Sequence, residues 1–239
     1  MIGFIGSLDQ FLFHLANGAW VSPMLDRLMP ALSAAGNAGA VWLGLLGALA
    51  ILGGNTGRRM ALAGLVGLAA GFLASDLVKE ITMRPRPFAA LPDDVRLLVP
   101  EPGSYAFPSG HTTSAFAAAS GTVLAAKRLL GRVPAWGWGR LALAAAIAYS
   151  RIYVGVHWPT DDAAGMLVGT ACGWSGSHLT TRRGKSEGPD RPEETRDASE
   201  EAPEVECQPI GYRGGDETRN AHTAGGGRPL DRQLLQART

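Results

Sequence analysis

Five long apolar runs, each bounded by charged or turn-forming residues, divide the first three-quarters of the chain: about 31–53, 60–78, 112–126, 140–156 and 160–179. A helix needs ~20 mostly apolar residues to cross bilayer hydrocarbon. The runs therefore predict membrane spans, with flanking residues extending the third and fourth. They are rich in small residues, including Gly64, Gly67 and Gly71, Ala117 to Ala119, and Ala144 to Ala146. Small residues let helix backbones approach closely where lipid supplies no hydrophobic drive for association. The alternative, a buried bundle in a soluble protein, is disfavoured by five such runs in one chain.

Residues 1–30 follow a different pattern. Ile2, Phe4, Ile5, Leu8, Phe11, Leu12 and Leu15 recur at helical spacing, with Asp9, Gln10, His14 and Asn17 between them. This suits an amphipathic helix lying in the headgroup zone; a sixth span is the alternative. Asp26 and Arg27 fall at the interface before the first span. The expected fold is all-α: a polytopic membrane helix bundle of five to six spans. Three regions are expected: an interfacial amphipathic region at 1–30, a transmembrane domain at 31–180 and a tail at 181–239.

Composition changes at that last boundary. Residues 1–179 carry 12 Lys/Arg and 9 Asp/Glu, whereas residues 180–239 carry 10 and 12 and have few large apolar side chains. Such a tail cannot bury enough area to offset chain entropy and is predicted to be disordered, apart from a short helix near 231–237. Its charges are mixed in sign, so it is no nucleic-acid arm. Cys172 and Cys207 are the only cysteines, too few for a disulfide framework or a zinc site. The amino terminus lacks the basic start and cleavage site of a secretory signal, so the first apolar stretch is expected to persist.

Basic residues in short loops set orientation. With five spans, one face receives nine, including Arg58, Arg59, Lys127, Arg128 and Arg132. The other receives six, and three of those, Lys79, Arg86 and Arg151, belong to polar clusters with chemistry of their own. Nine against three places the tail in the cytoplasm of a plasma (inner) membrane protein and the clusters on the outer face.

Those clusters lie at the ends of apolar runs. Lys79 precedes Arg86-Pro87 by six intervening residues. Pro108-Ser109-Gly110-His111 opens the third run. Ser150-Arg151 is followed by His157 and Asp161. An up-down bundle brings alternate helix ends together at one membrane face. Ser109 reads as an N-cap and Gly110 as a point of close approach, and a helix amino terminus is a ready anion site. Alone, that motif fits an ordinary capped helix equally well. Lys79 and Arg86 supply a point charge and a planar fork for phosphate oxygens, although snorkelling cations would look the same. His157 and Asp161 are four apart, on one helical face. Asp161 can hold the Nδ1 proton of His157 and leave Nε2 free to attack, as a carboxylate orients a triad histidine. Asp162 reads as a solvated second acid and Arg84 as a peripheral cation.

In these three motifs the chain resembles the type 2 phosphatidic acid phosphatase superfamily, which is related to vanadium haloperoxidases. Lys79 with Arg86-Pro87, Pro108 to His111, and Ser150/Arg151 with His157 and Asp161 match its three-part signature in order over about residues 1–180. The resemblance implies His157 as a nucleophile forming a phosphohistidine, supported by Asp161. It implies His111 as the acid that protonates the leaving oxygen and then the base that activates water. Lys79, Arg86, Arg151, Ser109 and the Gly110 amide would hold the phosphoryl oxygens. Three fixed cations and a helix terminus can stabilise phosphoryl transfer without a metal or other cofactor.

The substrate expected from the resemblance is a lipid phosphate or diphosphate presented by the bilayer, with undecaprenyl diphosphate the leading case. A lipid phosphotransferase using the same intermediate with another acceptor is the runner-up. A transporter would be expected to break its helices near the midplane instead of clustering polar groups at one face.

Overall fold

The computed structural model describes residues 2–182, and all regular structure among them is helical. The principal helices are α1 (Ile2–His14), α2 (Pro23–Ala35), α3 (Ala40–Leu52), α4 (Gly54–Thr82), α5 (Pro87–Ala90), α6 (Gly110–Leu130), α7 (Ala135–Tyr153) and α8 (Pro159–Thr181). The tail expected to be disordered, and its short helix, lie outside the described residues apart from the end of α8.

Helices α4, α6 and α8 pack against one another at the centre, with α3 on α4 and α7 on α6. Glycine makes this possible. A Cβ on Gly67 would stand 2.9 Å from the Ala117 carbonyl oxygen of α6 and 2.9 Å from the Cα of Gly173 in α8. Three backbones thus meet with no side chain between them, the close approach expected of small residues inside a membrane. The segment Gly54–Ala90, which contains α4, is long and apolar enough to cross a bilayer. Helices α6, α7 and α8 have 21, 19 and 23 residues, but Ala, Gly, Ser and Thr make them less apolar.

The first expected span, 31–53, is not one helix. It divides into the end of α2 and all of α3, bent by 56° across residues 36–39. There Ala38 and Gly39 adopt left-handed backbone angles, φ 48° and 70°, which end one helix and restart another. Helix α3 has 13 residues and is about 20 Å long, short of the ~30 Å hydrocarbon. Helix α2 starts at Ser22, whose hydroxyl accepts from the Leu25 amide with Pro23 in the first turn. It then crosses the carboxyl end of α7: Asp26 accepts from the Tyr153 hydroxyl at 2.7 Å, and Ser33 is bonded by Arg151.

Residue 30 lies inside α2, so no element ends there. Two polar residues expected on the wet face of an interfacial helix are instead buried, Asp9 at 2% exposure and Asn17 at 1%. The Asn17 amide donates to the carbonyls of Arg96 (2.9 Å) and Tyr153 (2.7 Å), fastening the amino-terminal segment to a distant loop and to the end of α7.

Candidate active site

Three chain segments converge where α4 ends and α6 begins. Lys79 is in the last turn of α4. Arg86 follows in an extended connection that Pro85 and Pro87 keep from continuing the helix. Gly110 and His111 open α6, and His157 sits in the short link between α7 and α8. All five line one cavity of about 230 Å³. The Lys79 ammonium passes so near α6 that a Cβ on Gly110 would lie 3.0 Å from Nζ. Lys79 pairs with the exposed Asp76, at 3.2 Å.

The geometry around His157 fixes its tautomer. Arg86 Nη1 lies 3.1 Å from His157 Nε2. A guanidinium can only donate, so Nε2 is the accepting nitrogen and Nδ1 carries the hydrogen. Nδ1 faces Asp161 Oδ2 at 3.4 Å. Burial is the main influence holding the imidazole well below its ordinary pKa of 6.5. The charges of Arg86, Arg151 and Lys79 act in the same direction, and a hydrogen bond to the Ala106 backbone opposes them. The neutral ring keeps a lone pair aimed at the cationic side of the cavity. Arg86 is itself fixed by the carbonyls of Ser104 (2.7 Å) and Val156 (2.8 Å).

Three other expected site residues stand behind this wall and do not line the cavity. Asp161 is fully buried; its Oδ2 also accepts from the Trp158 amide at 2.8 Å, which caps α8. Arg151 is 4% exposed, bonds Ser33, and has an unpartnered Nε. Ser109 occupies the N-cap position of α6, but its hydroxyl makes no cap. It meets the Thr112 hydroxyl at 3.0 Å instead.

Two readings of the sequence are corrected here. Asp162 is not a solvated surface acid: it is 2% exposed and its Oδ1 accepts from the Thr112 hydroxyl, while Oδ2 has no hydrogen-bond partner among the described residues. The helical turn after Asp161 points it inward, toward α6. Nor is Arg84 peripheral. It donates to Asp161 Oδ1 at 2.6 Å and pairs with buried Asp9, because the Pro-bounded turn aims it at the start of α8.

His111 Nε2 lies 2.9 Å from Asn37 Oδ1, in the bend between α2 and α3. That bend also makes room for the ring, since a Cβ on Gly36 would approach His111 Cδ2 to 2.9 Å. The break in the first expected span thus supplies one edge of the cavity.

Residues 60–185 match the PAP2 superfamily. The chain belongs to that superfamily. An undecaprenyl-diphosphatase of Sulfolobus acidocaldarius is 32% identical over 160 residues, covering 66% of this chain and 72% of that protein. Among solved structures, Aquifex aeolicus LpxE superposes with a TM-score of 0.57 at 29% identity, over 71% of this chain and 94% of that one. The PAP2-type phosphatidylglycerolphosphate phosphatase of Bacillus subtilis superposes with a TM-score of 0.60 at 22% identity, over 77% and 89%, a likeness of fold. This PAP2 protein is accordingly an all-helical membrane enzyme, a hydrolase acting on phosphorylated lipids.

The motifs pointed to eight residues, and the PAP2 fold places five on the cavity and three behind it. Asn37, Ser104, Arg84 and Asp9 carried no motif. An isolated Asp in an amphipathic helix and a second Arg beside a matched one were the available signals.

Proposed function

We propose that this PAP2 enzyme hydrolyses an isoprenyl diphosphate, undecaprenyl diphosphate being the leading case, through a phosphohistidine on His157. The observation that carries the reading is one cavity lined by both His111 and His157 together with Lys79 and Arg86. The name of the Sulfolobus relative supports the choice of lipid.

In the first step the His157 Nε2 lone pair attacks phosphorus in line with the lipid-side oxygen. The P–O bond to the leaving group breaks, and His111 passes it a proton. Asp161 steadies the positive charge that develops on the ring by accepting from Nδ1. Lys79, Arg86 and the amides at the start of α6 stabilise the equatorial oxygens, and Arg151 adds its charge from behind. In the second step His111 takes a proton from water. The oxygen attacks phosphorus, the P–N bond breaks, and phosphate leaves with His157 neutral again. The excess of basic residues at the opposite ends of the spans supports reading the cavity as extracytoplasmic and the tail as cytoplasmic.

The test is phosphate release by detergent-purified protein from undecaprenyl diphosphate, phosphatidate and other lipid phosphates, in EDTA, with and without an alcohol acceptor. Fastest release from the isoprenyl diphosphate, none from H157Q, and no phosphorylated alcohol are expected. Near-wild-type turnover by H157Q, or recovery only on adding a divalent ion, overturns the mechanism. Preferential transfer to the alcohol makes the protein a phosphotransferase.

A further inference from the structure

Behind the reacting histidine lie two further charges, half-buried Arg84 and buried Asp9, that the proposed chemistry does not use. Arg84 Nη1 donates to Asp161 Oδ1 at 2.6 Å and to the Thr160 hydroxyl oxygen at 2.7 Å. Its Nη2 donates to Asp9 Oδ2. Asp9 accepts in turn from the Thr160 amide at 2.9 Å and from the Thr160 hydroxyl at 2.6 Å. The guanidinium also lies over the Trp158 ring, 5.5 Å from its centroid, and that ring packs on Phe13 of α1.

Burial of both carboxylates separates this set from ordinary surface ion pairs, which contribute little. Asp9 and Asp161 are 2% and 0% exposed, and the Arg84 side chain between them 29%. A buried carboxylate needs partners for both oxygens. Asp161 Oδ2 serves the Trp158 amide and His157 Nδ1; among the described residues Oδ1 is held by Arg84 alone. Without Arg84 the carboxylate could rotate about its Cβ–Cγ bond or turn Oδ1 toward the ring, losing a single defined acceptor for Nδ1. Arg84 is held in turn by Asp9, which arrives from the opposite end of the domain sequence on α1.

Resting on the reading of His157 as nucleophile, the geometry points to Arg84 and Asp9 as positioning residues. Together they lock the Asp161 carboxylate against His157 and make the amino-terminal helix part of the active site. Neither lines the cavity that holds both histidines; Arg84 borders a neighbouring one that shares Arg86 and Ser104, but its guanidinium is committed to Asp161, Thr160 and Asp9, so both act through Asp161. This gives α1 a role that headgroup anchoring would not require. It also explains why a single Asp in an otherwise apolar helical face is buried.

The test is a double-mutant cycle on the full-length protein in detergent, with a lipid phosphate it turns over. R84Q is expected to lower kcat by about tenfold or more, while KM and inhibition by inorganic phosphate stay within about twofold. R84K should recover part of the loss, since a lysine can reach one carboxylate. D9N should lose less than R84Q, in the same parameter. In a D161N background, R84Q should cost less than about twofold further, because a residue acting through Asp161 has nothing left to position.

An equal loss from R84Q in both backgrounds, or R84Q with unchanged kcat, overturns the inference. So does a loss that falls on KM and phosphate inhibition instead of kcat. If D161N is too slow to measure, the kcat-against-KM split and the R84K rescue decide alone. Wild-type turnover by H157Q would sink the nucleophile reading whatever Arg84 does, so the two failures are distinguishable.

Discussion

Arg86 and His157 meet nitrogen to nitrogen, Nη1 to Nε2 at 3.1 Å, and this contact sets the chemistry of the ring. A permanent donor beside Nε2 forces the hydrogen onto Nδ1, where Asp161 waits at 3.4 Å. The same cation, with Arg151, Lys79 and above all burial, disfavours the imidazolium. Bound phosphate would take Arg86's donor hydrogens for its own oxygens and release the lone pair toward phosphorus.

It follows that His157 stays neutral through mildly acidic pH. Because its pKa lies well below 6.5, the nucleophile is present above that value and is lost only as pH falls through the lowered one. Nitrogen-15 NMR of the substrate-free protein, with H157Q assigning the resonances, should show a neutral ring at pH 6.5 carrying its hydrogen on Nδ1. A titration midpoint at or above 6.5, or a hydrogen on Nε2, would contradict the geometry.

The sequence made the carriers of chemistry visible because each lies in a motif whose spacing the bundle preserves. Lys79, His111 and Arg151 all sit at helix ends on one face, where alternating spans must return. The limits of α4, α6, α7 and α8 lie within six residues of their apolar runs. The break at 36–39 was hidden because residues 31–53 form one apolar run with no proline or charge to mark a bend. Asp9 was hidden for another reason: its partner Arg84 is 75 residues away, and local periodicity assigns an isolated acid to the wet face. Asp162 differs from Asp161 by one step of the helix, and only the position of α6 decides that both point inward.

Asp162 is expected to be structural. Its carboxylate accepts from the Thr112 hydroxyl at the start of α6, which meets the Ser109 hydroxyl in turn, and its charge acts favourably on buried Arg151. D162A would leave the buried Thr112 hydroxyl and a buried cation with less compensation, and should destabilise by about 1–3 kcal/mol. D162N, which keeps an acceptor oxygen, should lose less. Thermal unfolding in detergent measures both, and an unchanged D162A melting temperature would remove Asp162 from this role.

Packing gives the last prediction, in which two glycines in membrane helices respond with opposite signs. At Gly67 a side chain would collide with backbone on two sides, Ala117 O of α6 and Gly173 Cα of α8, each 2.9 Å from the added Cβ. Backbone cannot swing away as a flexible side chain can, so α4 would have to separate from both partners. G67L should therefore cost at least the about 1–3 kcal/mol of an overpacked core, with much lower recovery of folded protein. At Gly47, in α3, nothing lies within 4 Å of the added Cβ. There G47A gains helix propensity without a clash and should stabilise by up to about 1 kcal/mol. Melting temperatures of the two variants in one detergent make the comparison, and a G67L protein as stable as wild type would mean that α4, α6 and α8 do not meet backbone to backbone.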